Sequence, residues 1–156
     1  MTDTTDYFNR IKSFLYKSES DELILLKSHL LIEEMLDSYI CFNFGPKISK
    51  KLNLNFYRKV LLVCGLINID EDSALISQIF LINKIRNNLA HNLDLDIKID
   101  LIGLIKNAHG GLLPKTINRQ STYLNSLKRS FYAILGELYG LFESYQISRK
   151  DRKYTK

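Results

Sequence analysis

The stretch "LNSLKRSFYAILGELYGLFESY", residues 124–145, decides the fold class of this chain. Its apolar residues recur alternately three and four positions apart, which is the spacing of an a/d seam along one side of a helix. The seam consists of Leu124, Leu127, Phe131, Ile134, Leu138, Leu141 and Tyr145. The stretch therefore predicts a long C-terminal helix, from about Arg119 to Tyr145, that can pack in its own bundle and also meet a partner.

The segments before this helix carry the same helical period. Apolar faces with capping residues at their starts predict further helices at about residues 7–16, 20–42, 55–67 and 73–90. The sequence therefore predicts an all-α, antiparallel bundle of about five helices. We expect a single domain over residues 1–148, followed by a basic and disordered tail over residues 149–156.

Two connections do not follow the helical period. "LDLDIKID", residues 93–100, alternates strictly between apolar and charged residues, which predicts an extended segment packed on the helices. Asp100 could then cap a short helix that ends at Lys106. The basic segment "PKISKK", residues 46–51, is expected to be a solvated loop joined to a helix face.

Composition narrows the possible classes of protein. With 156 residues, of which 46% are hydrophobic, the chain is long enough for one core. The polar start and the lack of an apolar run of roughly 20 residues argue against a secretory signal or a membrane span, so we expect a cytoplasmic protein. Cys41 and Cys64 have neither a close partner nor metal-ligand spacing, and they are expected to be free thiols. We expect no cofactor and no metal. A glycine-rich phosphate loop and a serine-hydrolase elbow are both missing from the sequence.

Function centres on "KIRNNLAHN", residues 84–92, near the end of an apolar helix. Arg86 can bind phosphate in a bidentate manner, and an imidazole such as that of His91 can take and give a proton. On a regular helix the two side chains point about 140° apart. They could converge if Asn87, Asn88 and Asn92 loosen the last turn, or if each meets its counterpart across a two-fold axis. Alternatively, His91 simply interacts with carbonyl groups at the helix end.

"RNNLAH" resembles the arginine–histidine signature of the HEPN superfamily, including an asparagine directly after the arginine. "LLKSHLLIEEMLDSYI", "LNFYRKVLLVCGLINID" and "LINKIRNNLAH" occur in the order and spacing of one branch of it, the mannitol operon repressor family. The resemblance covers about Ser20 to Ala108. It implies a helical bundle that commonly forms dimers, which brings two arginine–histidine pairs into one cleft.

In active members of the superfamily, RNA is cleaved without a metal by attack of a 2′-hydroxyl on the adjacent phosphate. Carried onto this sequence, His91 would transfer protons, Arg86 would bind the phosphate, and Asn87 would orient His91 or the substrate. This predicts a dimeric endoribonuclease that acts as a toxin or antiviral effector on RNA and is restrained by an antitoxin or regulatory partner. The alternative is a non-catalytic regulatory module, as the likeness to the mannitol operon repressor family implies.

His29 and Glu33 stand one helical turn apart on the second predicted helix. They are expected to support the site, with Glu33 forming an ion pair with Arg86. The competing interpretation is an exposed pair that contributes a few tenths of a kcal/mol to the helix.

Overall fold

The computed structural model describes residues 4–92 and 96–154, with side chains over residues 7–92 and 96–149. This part of the chain forms helices and contains no strand, so the predicted all-α bundle with a long C-terminal helix is confirmed. None of these helices is both long and apolar enough to cross a membrane. The helices are α1 Thr4–Tyr16, α2 Asp21–Phe44, α3 Pro46–Leu52, α4 Phe56–Ile67, α5 Ala74–His91, α6 Lys98–Ala108 and α7 Gln120–Tyr154.

Local capping sets where the central helices begin. The Ser20 side chain accepts a hydrogen bond from the Leu23 amide at 3.2 Å. Asn55 caps α4 in the same way through the Arg58 amide, and Ser73 caps α5. Each cap satisfies one of the amides that the first turn of a helix leaves unpaired.

The predicted seam of α7 is the side that packs into the core. Leu127, Phe131, Ile134 and Leu138 are buried, while the seam residues at its two ends are only half-buried. The buried part packs with apolar side chains from the other helices in one hydrophobic core. Close packing of such side chains is the main source of stability in a bundle of this size.

Four contacts fix the directions of α1 and α2 relative to α7. The hydroxyl of Tyr123 donates to Asp21 at 2.8 Å and that of Tyr145 donates to Asn43 at 3.1 Å, so α2 and α7 run parallel. α1 runs against α7, because its first turns meet the middle of α7 and its last carbonyl accepts a hydrogen bond from Lys128, nearer the start of α7.

The structure corrects the predicted connections. Residues 46–51 belong to α3 and not to a loop; Pro46 suits the first turn of a helix because its nitrogen has no proton to leave unpaired. α6 begins at Lys98, so the extended segment is shorter than predicted; its residues 93–95 lie outside the described residues. Asp100 lies in the first turn of α6, and the N-cap position is occupied by Ile97.

α7 continues to Tyr154, whereas the sequence predicted a basic and disordered tail from residue 149. No glycine or proline interrupts residues 146–154, and arginine and lysine are good helix formers. The Arg149 guanidinium donates to the Asn43 side-chain oxygen and lies over the Phe42 ring at 5.9 Å. These contacts join this part of α7 to the end of α2.

Removing either of two tyrosine hydroxyls tests the packing, because the two changes should affect the free energy of unfolding differently. The Tyr7 hydroxyl is buried without a hydrogen-bond partner among the described residues, whereas Tyr123 donates to the Asp21 carboxylate. Tyr7→Phe should leave the free energy of unfolding unchanged or raise it by up to about 1 kcal/mol, while Tyr123→Phe should lower it by about 1.5–3 kcal/mol. Urea denaturation of both variants checks this, and a larger loss for Tyr7→Phe would contradict the described packing.

Candidate functional site

The polar end of α5 carries the three residues of the predicted reaction centre. Arg86 is half-buried, and its Nη1 donates to Asn87 Oδ1 at 3.0 Å. Within the described residues, this is the hydrogen bond that the guanidinium makes, and no carboxylate pairs with it. A guanidinium without a carboxylate partner keeps its positive charge available for an anion.

α5 stays helical to its last residue, His91, and the Asn92 amide closes the helix on the Asn88 carbonyl at 3.0 Å. The last turn therefore does not loosen as one interpretation of the sequence required. On this regular helix Arg86 and His91 point about 140° apart. His91 is exposed, whereas Arg86 is half-buried. One chain thus places both residues at the same end of the helix without aiming them at each other.

His29 lies on α2 and faces this part of α5. Its Nε2 is 3.1 Å from Asn83 Oδ1, so the ring carries its proton on Nε2 and donates it. The ring is buried and stacks on Phe56 with 4.3 Å between centroids. His29 is therefore a structural support that joins α2, α4 and α5, as its buried position requires.

The surroundings of His29 depress its basicity. Burial lowers the pKa of His29 below the usual histidine value, and the positive charges of Arg86 and Lys59 lower it further. The hydrogen bond with Asn83 and the negative charge of Glu33 oppose the shift without cancelling it. The Arg86 charge therefore acts on the His29 ring in the direction that favours the neutral imidazole.

This shift predicts how stability depends on pH. A histidine with a pKa lowered by folding binds a proton more readily in the unfolded chain, so stability is lost as pH falls through the folded pKa. From about pH 7 to about pH 5, the wild-type protein should lose more free energy of unfolding than the His29→Gln variant. The variant has no titrating side chain at position 29. Urea denaturation at the two pH values measures this. His109→Gln, at an exposed histidine, should behave as wild type, and parallel losses in all three proteins would contradict the prediction.

Glu33 does not form the predicted ion pair with Arg86. It accepts instead from Lys59 of α4 at 2.8 Å, and Lys59 also reaches Asp37 at 2.9 Å. Burial lowers the pKa of Lys59, but the hydrogen bonds and negative charges of these two carboxylates outweigh that effect and raise it. Because Glu33 and Asp37 stand one turn apart on α2, a single ammonium from α4 can bridge them. The ion pairs of Lys59 with Glu33 and Asp37 join α4 to α2, so Glu33 does not pair with Arg86.

A cleft of about 650 Å³ opens beside Asn87, and sequence reasoning missed it. It lies between the start of α4, the loop before α5 and one side of α5. Its walls are formed by Tyr57, Glu71, Asp72, Ser77, Phe80, Asn83, Lys84, Asn87 and Asn88. Phe80, Asn83, Lys84 and Asn87 recur three and four positions apart, a signal that could have shown that they share one helix face.

A larger groove, of about 1020 Å³, is formed mainly by α2, α3 and α7. None of the five candidate residues, Arg86, Asn87, His91, His29 and Glu33, lines this groove. The smaller cleft is therefore the cavity that belongs to the candidate site, because Asn87 contributes both to its wall and to the hydrogen bond with Arg86.

An apolar stripe of three leucines lies on α2 beside His29. Leu23, Leu26 and Leu30 are 42%, 39% and 57% exposed, and their spacing of three and four residues puts them on one side of the helix. Exposed leucines aligned in this way are a common mark of a protein interface. The stripe is therefore a candidate interface on α2.

Comparison of the chain with family models, with curated proteins and with solved structures found no match. The relation to the HEPN superfamily therefore rests on the residues quoted above and stays a prediction.

Proposed function

We propose that this chain is a dimeric, metal-independent endoribonuclease of the HEPN type, acting as a toxin or antiviral effector. The observation that carries the proposal is the presence of a guanidinium and an imidazole near the end of the same helix, α5. Arg86 has a guanidinium that no described carboxylate neutralises, and His91 is an exposed imidazole five residues later. The first can hold a phosphate, and the second can transfer a proton.

A second copy of the chain completes the site in this proposal. Because Arg86 and His91 point about 140° apart on one helix, a two-fold axis near the end of α5 would let residues from both copies face one phosphate. The leucine stripe of Leu23, Leu26 and Leu30 supports such an arrangement, since it is exposed in the single chain and lies beside His29. Burying it against the same stripe of another copy would remove apolar surface from water.

The chemistry is an internal transfer at phosphorus. One His91 takes the proton of the 2′-hydroxyl, whose oxygen attacks the adjacent phosphorus, while the bond from phosphorus to the 5′-oxygen breaks. The other His91 gives a proton to that leaving oxygen, so the products are a 2′,3′-cyclic phosphate and a 5′-hydroxyl. Arg86 stabilises the charge on the phosphate oxygens, and Asn87 holds the guanidinium in position. The net charge of +5 favours association with a polyanion.

The direct experiment incubates purified wild-type protein with a mixed RNA pool in EDTA and measures the oligomeric state of the same sample. We expect cleavage that leaves 2′,3′-cyclic phosphate ends. The matched substrate control is a pool of 2′-deoxy oligonucleotides with the same base sequences, which should stay intact because no 2′-hydroxyl is present to attack. Failure of a well-folded dimer to cleave any RNA in the pool would overturn the proposal.

A non-catalytic regulatory module is the second candidate. It is favoured by the regular end of α5, which keeps Arg86 and His91 pointing in different directions in one chain, and by the effect of the Arg86 charge on buried His29. Here Arg86 would stabilise the bundle or bind a phosphate group of a ligand, and the leucine stripe would bind a regulatory protein. Under this alternative, Arg86→Ala changes stability or partner binding, and the wild-type protein has no RNA cleavage to lose.

A further inference from the structure

The cleft beside Asn87 has an aromatic wall at one side. Tyr57 is 51% exposed, and its ring lies 5.0 Å from that of Phe80 with an angle of 30° between the planes. An exposed aromatic ring supported from behind by a second ring offers a face on which a flat group can stack. Stacking on aromatic side chains is the main way in which proteins hold single-stranded RNA bases.

The α5 side of the cleft presents hydrogen-bond donors. Asn83 Oδ1 accepts from His29, and Asn87 Oδ1 accepts from Arg86, so the oxygen of each amide is already engaged. The Nδ2 groups of these two amides are donors, and the Lys84 ammonium on the same side adds a third. This wall is suited to a ligand edge that carries acceptors.

The loop that precedes α5 presents acceptors to the cleft. Glu71 and Asp72, in the loop that precedes α5, line the cleft with carboxylates and are both exposed. A carboxylate has two oxygens side by side and can accept two parallel N–H bonds. This wall is suited to a ligand edge that carries two adjacent donors.

We infer that this cleft binds a guanine base of the RNA substrate. Guanine carries two acceptors, N7 and O6, on one edge, and two adjacent donors, N1–H and the N2 amino group, on another. Adenine and uracil lack that pair of adjacent donors, so they cannot satisfy a carboxylate in the same way. A volume of about 650 Å³ lies within the range of about 300–1,000 Å³ typical of small-ligand sites. Asn87 joins the base subsite to Arg86, which holds the phosphate.

The inference rests on the proposed RNA substrate but does not depend on cleavage, so it is tested by binding. The probes are fluorescein-labelled pentamers, UUGUU and UUAUU, titrated with His91→Ala protein, which leaves the RNA intact. Fluorescence anisotropy should show that UUGUU binds about tenfold more tightly. Asp72→Asn in the same background should weaken the binding of UUGUU about tenfold. The binding of UUAUU should stay unchanged or become tighter, because a negative charge has been removed near an anionic ligand.

Two further variants complete the test. Tyr57→Ala should weaken the binding of both pentamers about tenfold, because any base can stack on an aromatic ring. Asp100→Asn, at an exposed aspartate of α6, is the matched control and should keep the preference for UUGUU. Circular dichroism confirms that each variant is folded.

The outcomes separate this inference from the proposed function. Equal binding of the two pentamers, or a preference that survives Asp72→Asn, overturns the guanine subsite even if the wild-type protein cleaves RNA. A preference for UUGUU that Asp72→Asn removes supports the subsite even if the wild-type protein never cleaves. Absence of binding to both pentamers also overturns it.

Discussion

A roughly ninefold excess of His91→Ala protein should lower RNA cleavage by a fixed amount of wild-type protein to about one tenth, once subunits have exchanged. In the proposed mechanism one His91 takes a proton and the other gives one, so a mixed dimer with a single histidine lacks a catalytic group. At this excess, about nine in ten wild-type chains are in mixed dimers. His91→Ala protein alone should cleave about 100-fold or more slowly than wild type, the usual loss when general acid–base catalysis is removed.

Cleavage is measured with RNA in excess over all protein, so that binding of substrate by the inactive chains does not limit the rate. His109→Ala is the matched control: it removes another exposed histidine, and its excess should add activity. Wild-type cleavage that persists despite demonstrated subunit exchange would mean that each chain acts independently. Arg86 and His91 would then have to converge within one chain, which the regular end of α5 opposes.

Phe131→Ala should lower the free energy of unfolding by about 3–5 kcal/mol, because it opens a cavity at the centre of the α7 seam. The Phe131 side chain is 0% exposed and belongs to the hydrophobic core. A loss of this size is a large part of the roughly 5–15 kcal/mol that stabilises a typical domain.

Urea denaturation provides the measurement for this variant. Phe44→Ala is the matched control, because the same change at a residue 36% exposed at the end of α2 should cost less than about 1 kcal/mol. Phe131→Leu keeps most of the volume and should give a loss between the two. Equal losses for Phe131→Ala and Phe44→Ala would contradict the assignment of the seam to the core.

The resemblance predicted the motif residues of the candidate site better than the residues that support them. "RNNLAH" placed Arg86, Asn87 and His91 on one helix, and the structure has them there. The support around them was predicted less well. Glu33 was expected to meet Arg86 but binds Lys59, which comes from a helix that sequence spacing could not orient. His29 was expected to support the site, and it contacts α5 through Asn83, a residue 54 positions away.

The sequence by itself determined the helices, several of their caps and the buried side of α7. These features depend on interactions among residues three or four positions apart, so the period of apolar residues and the type of the capping residue specify them. The missed helix α3 and the extension of α7 to Tyr154 lie in basic segments, where charge suggested solvent exposure but did not exclude a helix.

Only the tertiary structure decided which polar groups meet. The parallel course of α2 and α7, the bridge from Lys59 to Glu33 and Asp37, and the cleft formed by Tyr57, Asp72 and α5 all join residues distant in sequence. Their geometry depends on how whole helices pack, and rotation of one helix changes every partner on its surface. For the same physical reason, the packing of complete helices against a second copy would decide whether Arg86 and His91 act together.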